Sequence, residues 1–531
     1  MIRLKIILFI ILFYSSTAYA ADYYIDYAAG SDSNNGTSIS TSWKHCPGMP
    51  GFAGSYSHSE GDIFVFKGGV TWVAPIDRVL TIGYSGGSST PDQYVGGQLC
   101  GQLGSSSCNG GVAWGSGYPV FDGNSAGGTI VYSYGKSNLI FNGIKLYNAT
   151  MFPGGYGQGL QVRNASNLEV KNCWIETLNI NAFSYMSDTG GSYSKIYFHD
   201  NHIRRTGRTA IQPTTDSFLD DVQVYNNLYE GPGDYGLGTA YHLDGFMIGG
   251  SNASLYAITN LKIYNNKFYG DWSTAAAGIT ALIYLNGDTV AGRPSTQHTV
   301  IYNNVVAYEN NSWQGNTGRQ VSNMVWVLGR HDDLKIYNNT ISADATVAIN
   351  EVPGSCIYIG YDDVSNLEIK NNIMSGCYHG VSFDNKVTSY PVIDYNVYNT
   401  LLGTHLIYSD MIAYNATCAT IAASQALGGW ETHGIETNPN FVSLPSDGVI
   451  GSGNWCLQPG SVARDAPGAD LSSIFTADIL GITRPQGTAW DIGAYEYNGG
   501  NNTSMIGVYN TKGMSGYYNA NGMGMIGNVS N

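Results

Sequence analysis

Two short stretches carry most of the side chains able to do acid–base or anion chemistry. H-I-R-R-T-G-R at 202–208 sets Arg204, Arg205 and Arg208 beside His202, in a chain with only 24 Lys and Arg in all. Y-H-L-D-G at 241–245 brings His242 and Asp244 together just before the apolar run F-M-I. A planar guanidinium binds a carboxylate through two parallel hydrogen bonds. Histidine exchanges a proton near neutral pH, and an adjacent carboxylate orients it or binds a cation. Glu230, Lys267, Tyr269 and Asp271 lie between and just beyond these stretches and extend the set. The plain alternative is structural: the arginines pair with Asp216, Asp220 and Asp221, and His242 is a hydrogen-bonded loop residue.

A repeat is what could bring such residues together. L-K-I-Y-N-N occurs at 261–266 and again at 334–339, with close variants ending at Asn227, Asn304 and Asn372 and looser ones at Asn201 and Asn396. A second apolar strand precedes each marker, and these strands start 24 to 43 residues apart. The order strand, turn, strand, N-N is kept although the period is not, which describes the coil of a solenoid. Short alternating strands recurring once per coil stack as parallel strands about 4.8 Å apart. Asparagine tolerates the left-handed backbone of a tight corner, and stacked asparagines can hydrogen-bond from coil to coil. The asparagines therefore read as architecture.

After each marker the middle residue is apolar: Ile203, Tyr229, Phe268 and Val306. Alternation turns its neighbours outward, which predicts one outer patch of His202, Arg204, Glu230, Lys267 and Tyr269 spanning three coils. Ionisable residues are concentrated in these coils, since the later equivalents are Val305, Ala307, Thr340, Ser342, Ile373 and Ser375. The longest insertions, 228–245, 267–281, 305–324 and 340–356, follow the same corner and are expected to wall a groove beside the patch. The acid pairs Asp332-Asp333 and Asp362-Asp363 lie in turns, where they satisfy backbone more often than they bind calcium.

Composition bounds the reading. The formal net charge is −15, only 12% of residues are charged, and there are 69 Gly and 40 Tyr. Acidity argues against nucleic acid or an anionic membrane as partner. Few helix formers and many aromatic and β-branched residues predict an all-β fold. Arg3 and Lys5, the apolar run from Ile6 to Phe13 and the A-Y-A ending at Ala20 make residues 1–20 a secretory signal peptide, too short in its apolar part to span a bilayer. No later stretch is apolar enough to span, so the exported chain is expected to be secreted or held at the cell surface. Eight cysteines then suit an oxidising compartment. Cys100 and Cys108 could close a Gly/Ser loop. Cys356 and Cys377 sit at matching places on successive coils, within disulfide reach if the strands stack.

These patterns resemble the right-handed parallel β-helix of the pectate-lyase-like superfamily. D-Y-Y-I-D-Y-A-A-G-S-D-S-N-N-G-T at 22–37 and G-D-I-F-V-F-K-G-G at 61–69 are similar to the opening of secreted bacterial members, and R-P-Q-G-T-A-W-D-I-G-A-Y-E-Y at 484–497 to a common close. The resemblance implies an all-β solenoid of roughly ten or more coils. Residues 21–128 would form an entry and cap region, 129–415 the coils, 416–498 a closing region with Cys418 and Cys456, and 499–531 a low-complexity tail. The fold hosts several chemistries. G-H-G and R-I-K, typical of polygalacturonases, are absent, as is the D-P-H of alginate epimerases. Oxygen-rich sites are common in lyases of this fold, so Ca2+ is the one cofactor to consider, although no EF-hand-like spacing supports it.

The resulting expectation is a lyase acting on an acidic polysaccharide or other glycan. Arg204, Arg208 and Lys267 would neutralise a uronate carboxylate, while His242, Lys267 or Tyr269 moves protons, Asp244 orients His242 or binds a cation, and Glu230 holds Lys267 or Arg204 in place. His202, Arg205 and Asp271 would hold the substrate. The alternatives are a glycoside hydrolase with paired carboxylates such as Glu230 with Asp244 or Asp271, and a glycan-binding adhesin.

Overall fold

The computed structural model describes residues 20–499 apart from 76, 102–107, 126–127, 150–156, 189, 214–216, 233–242, 250–257, 270–278, 288–294, 309–320, 344–353, 361–362, 402, 404, 445–452 and 467. His242, Asp271, the side chain of Tyr269, almost all of the leader and all but the first residue of the tail lie outside the described residues.

Each coil contributes one strand to each of three long sheets. The first sheet holds the strands that end at the asparagine marker, such as Phe218–Tyr225, Ile258–Tyr264, Thr296–Tyr302 and His331–Tyr337. The corner sheet holds the short strands that follow the marker, among them Lys145–Ala149, Trp174–Leu178, His202–Thr206, Leu228–Pro232 and Lys267–Tyr269. The third sheet includes Gln158–Arg163, Asn181–Met186, Thr209–Pro213, Leu243–Gly249 and Ile279–Asn286. Successive coils pair in parallel, and among the described residues the three sheets have 13, 12 and 12 strands. The protein is a parallel β-helix. Its ladders begin before the expected boundary at 129, because Asp22–Ile25 already pairs in parallel with Ile63–Phe66. No helix among the described residues is long and apolar enough to cross a membrane.

The asparagine repeat makes the corner. The first residue of each pair is left-handed, with φ of 54° at Asn226, 55° at Asn265 and 52° at Asn303. The second turns inward and is buried. Asn201 donates from Nδ2 to Oδ1 of Asn227 at 3.1 Å, and the chain of donors continues through Asn266, Asn304, Asn339 and Asn372 to Asn396 at 2.9–3.0 Å. Each Nδ2 also bonds a carbonyl of the preceding coil, as Asn304 does to Ile263 at 2.9 Å. Every amide in the row is used twice, which is why only asparagine recurs there.

Glu431 terminates this row. Its Oε1 accepts from Asn396 Nδ2 at 2.7 Å and from the Tyr398 hydroxyl at 2.6 Å. Burial outweighs those bonds and pushes its carboxyl up to about 7. The folded state therefore holds a proton that the unfolded chain releases near its ordinary value. This contribution is full below about pH 4.5 and is lost as pH rises through about 7. Denaturant midpoints at about pH 5 and about pH 8 should differ less in Glu431→Gln than in the parent.

Both expected disulfides are present, Cys100–Cys108 and Cys356–Cys377, with Cα atoms 5.3 and 5.5 Å apart. Non-reducing peptide mapping of the purified chain should find both, with Cys46, Cys173 and Cys418, each buried and outside these bridges, as thiols.

The closing region folds back along the outside of the stack. Trp455, Leu457, Ile492, Ala494 and Tyr495 cover the outward residues Val305, Ile373 and Val397 of the corner sheet. Here the first asparagines of the pairs serve as pegs. Asn303 donates to the Ala477 carbonyl at 2.7 Å, Asn338 to Asp491 at 3.0 Å, and Asn371 to Ala469 at 2.9 Å.

Candidate functional site

The patch expected after the markers is only partly an open surface. Register places His202 and Lys267 in one outward column and Arg204 and Glu230 in the next. His202 is fully buried, its Nε2 3.0 Å from Glu230 and its ring 4.7 Å from Trp174. Arg204 lies 2.9 Å from Glu176, whose other oxygen is 2.7 Å from Lys145. Two cations hold Glu176 below its usual range against the effect of burial. Lys145, Glu176, Arg204 and Glu230 thus alternate in sign over four coils, and the network satisfies itself. Arg205 is exposed at a left-handed kink, with φ of 52°. Lys145 and Glu176 escape a marker-based reading because N-G at 142–143 and N-C at 172–173 replace N-N in their coils.

Lys267 does not stand in an open groove. The closing region reaches its coil, and the ammonium lies 5.9 Å from the Tyr495 ring centroid, half-buried. Burial lowers its pKa. Arg204 is engaged by Glu176 while Lys267 lies against Tyr495, so these two cations do not have the same neighbours. Nor do the arginines pair with Asp220 and Asp221. Those acids bond Thr259 and Asn260, and Tyr197 and Gln223, respectively. Asp333 and Asp363 serve structure, through His298 and Lys335 and through the Thr388 and Ser389 amides.

Arg208 and Asp244 lie elsewhere, on the edge of the third sheet. Strands of that sheet bend so that two consecutive residues face the core. A Cβ on Gly245 would lie 2.3 Å from the Leu282 carbonyl and 2.7 Å from the Phe268 ring, while Phe246 next to it is also interior. Asp244 is thereby turned outward. In register with it on the preceding rungs are Thr209, Asn181 and Gln158, and the Asp244 amide donates to the Arg208 carbonyl at 2.8 Å. Asn179 adjoins them at the start of its strand.

This edge is short of hydrogen bonds. Gln158 Oε1, both amide atoms of Asn179, Asn181 Oδ1, Thr209 Oγ1 and both oxygens of Asp244 are buried without a well-formed partner. Such a concentration is unusual in a folded protein, where buried polar atoms are almost all paired. Burial pushes the Asp244 carboxyl up to about 8, against the Ala281 amide and the Arg208 charge, which favour the anion. The arrangement offers a proton-exchanging carboxyl, a guanidinium and a row of amide and hydroxyl groups able to bond a polyol. Among the described residues, Asp244 is the one carboxylate on these rungs. The sequence marks Asp244 and Arg208 by type. It does not mark Gln158, Asn181 or Thr209, each at the start of a different strand, or Asn179, two residues before Asn181.

No group of three or more His, Cys, Asp or Glu side chains among the described residues could hold a metal ion. One carboxylate beside a guanidinium is a poor donor set for Ca2+, which takes six to eight oxygens. The residues in view do not fit the cation, and no step through it is derived.

No family model and no curated protein matches the sequence. The chain is similar to several solved structures. The chain is 14% identical to pectate lyase Pel9A, covering 91% of this chain and 97% of that one, with a TM-score of 0.42. It is 12% identical to a GH136 lacto-N-biosidase from Eubacterium ramulus (72% and 68%, TM-score 0.41) and 10% identical to XylC in complex with xylose (89% and 98%, TM-score 0.41). At these values the likeness carries no argument about chemistry.

Proposed function

We propose that the protein is an exported carbohydrate-active enzyme that cleaves an acidic polysaccharide by β-elimination at the third-sheet edge. Arg208 holds the uronate carboxylate and so acidifies the proton at C5. The Asp244 carboxylate takes that proton, the C5–H electron pair forms the C4–C5 double bond, and the C4–O bond breaks. The leaving oxygen regains a proton from Asp244 or water. Asn181, Thr209 and Gln158 bond the sugar hydroxyls. The observation that carries this reading is the buried, poorly bonded Asp244 carboxyl beside Arg208. A hydrolase needs two carboxylates flanking the bond, and among the described residues these rungs supply one.

Incubation with a panel of polyuronates, read by ultraviolet absorbance of an unsaturated product, tests the reaction. Arg208→Ala should lose activity by about two orders of magnitude or more, whereas Lys267→Ala, under the closing region, should stay within a few-fold of the parent. New reducing ends without ultraviolet absorbance would point to hydrolysis instead. Binding without either product would favour an adhesin.

A further inference from the structure

The third sheet carries a second cluster far from Asp244. His379 and His405 are register partners on the adjacent strands His379–Phe383 and His405–Ser409. Their Nδ1 atoms are 3.2 Å apart, and their rings stack at 5.0 Å with an interplanar angle of 22°. The Tyr408 ring stacks on His379 at 4.9 Å, and both imidazoles are half-exposed. Between Asp244 and His379 the same outward column passes through Ala281, Asn323 and Ser355. At about 4.8 Å per rung the pair is roughly 19 Å from Asp244.

Among the described histidines this pair is the exception. Six others hold a carboxylate, and His331 holds the Thr296 hydroxyl and the Leu328 carbonyl. Among the described residues, His379 and His405 have only each other in hydrogen-bond reach. Two imidazole nitrogens this close repel unless a proton or a cation lies between them. The N–H and the lone pair both lie in the ring plane rather than along the stack, so the rings must turn for either a shared proton or a cation to be met. A metal ion suits the spacing better. Two nitrogens at 2.0–2.1 Å on a tetrahedral Zn2+ lie about 3.3 Å apart, and the rings turn out of the stack to aim both lone pairs at one point.

We propose that His379 and His405 form a binding site for a borderline divalent transition metal of the Zn2+ class, with water completing the coordination. Imidazole is the preferred ligand of that class. The site is independent of the proposed glycan chemistry.

Calorimetric titration of the purified chain with zinc chloride, with melting temperature measured in parallel, tests this. The parent should show one saturable site and a rise in melting temperature with the ion. His379→Ala and His405→Gln should each lose at least tenfold in affinity and most of that rise, with metal-free melting temperatures close to the parent's. Glutamine keeps side-chain bulk over His379, so a fold defect in one variant is not mistaken for ligand loss. If both variants bind zinc as the parent does, or if the parent shows neither saturable heat nor a thermal shift, the proposal is wrong.

Discussion

Asp244→Asn is expected to abolish turnover of the acidic polysaccharide and to leave the protein at least as stable as the parent. The two effects have one cause. Asp244 is buried, its oxygens lack well-formed hydrogen bonds, and its pKa is raised to about 8. A proton-transfer group of this kind contributes about 100-fold to 10,000-fold in rate, and the isosteric amide cannot replace it. Stability runs the other way. With its folded pKa raised, the carboxyl contributes most below its unfolded value, and that contribution is lost as pH rises through about 8. The amide has no such slope, so the variant should unfold at higher denaturant than the parent near pH 9, and the gap should close toward acid. The parent's pH–rate profile then identifies the chemistry. A base must be ionised, so elimination accelerates as pH rises through about 8; a general acid would give a falling limb there. A fully active Asp244→Asn enzyme would remove the site.

The corner asparagines, the parallel stacking and the Cys356–Cys377 bridge are legible in the sequence because each repeats at equivalent positions on successive coils, and Cys100–Cys108 because the pair closes a short Gly/Ser loop. The surface is less so. Period-2 alternation turns His202, Arg204, Glu230 and Lys267 away from the core, but what then covers Lys267 is decided about 200 residues later in the chain, where Tyr495 meets it. Alternation also fails at the third-sheet bend, where Gly245 and Phe246 both face inward. A strict reading of that strand from Phe246 would point Asp244 into the core. Its neighbours Asn181, Thr209 and Gln158 carry no sequence signal, because three polar residues in three coils become one row only when the register is known. The sign-alternating network has the opposite fault. Its types are visible, but Lys145 and Glu176 follow variant corners, so the cluster looks half its size and more available than it is.

The largest stability effect is expected at Asn304. Its Oδ1 accepts both the backbone and side-chain N–H of Asn266 at 3.0 Å, and its Nδ2 donates to Asn339 and to the Ile263 carbonyl at 2.9 Å. Asn304→Ala therefore strands at least three buried groups, an amide N–H, a side-chain N–H and a carbonyl. Each costs about 1–3 kcal/mol when left unsatisfied, so the loss should reach about 4 kcal/mol, a large fraction of a typical folding free energy. Asn304→Asp should be no better, since it replaces the donor by an oxygen facing Asn339 Oδ1. The neighbouring kind of asparagine supplies the control. Asn226, the first of its pair, is exposed and makes a side-chain bond only to Asp200, at 3.2 Å. Its φ of 54° is the left-handed region, where alanine costs roughly 1–2 kcal/mol. Urea denaturation should therefore show Asn304→Ala at least twice as destabilising as Asn226→Ala. Equal losses would mean that the corner is held by backbone conformation alone and that the side-chain row adds nothing.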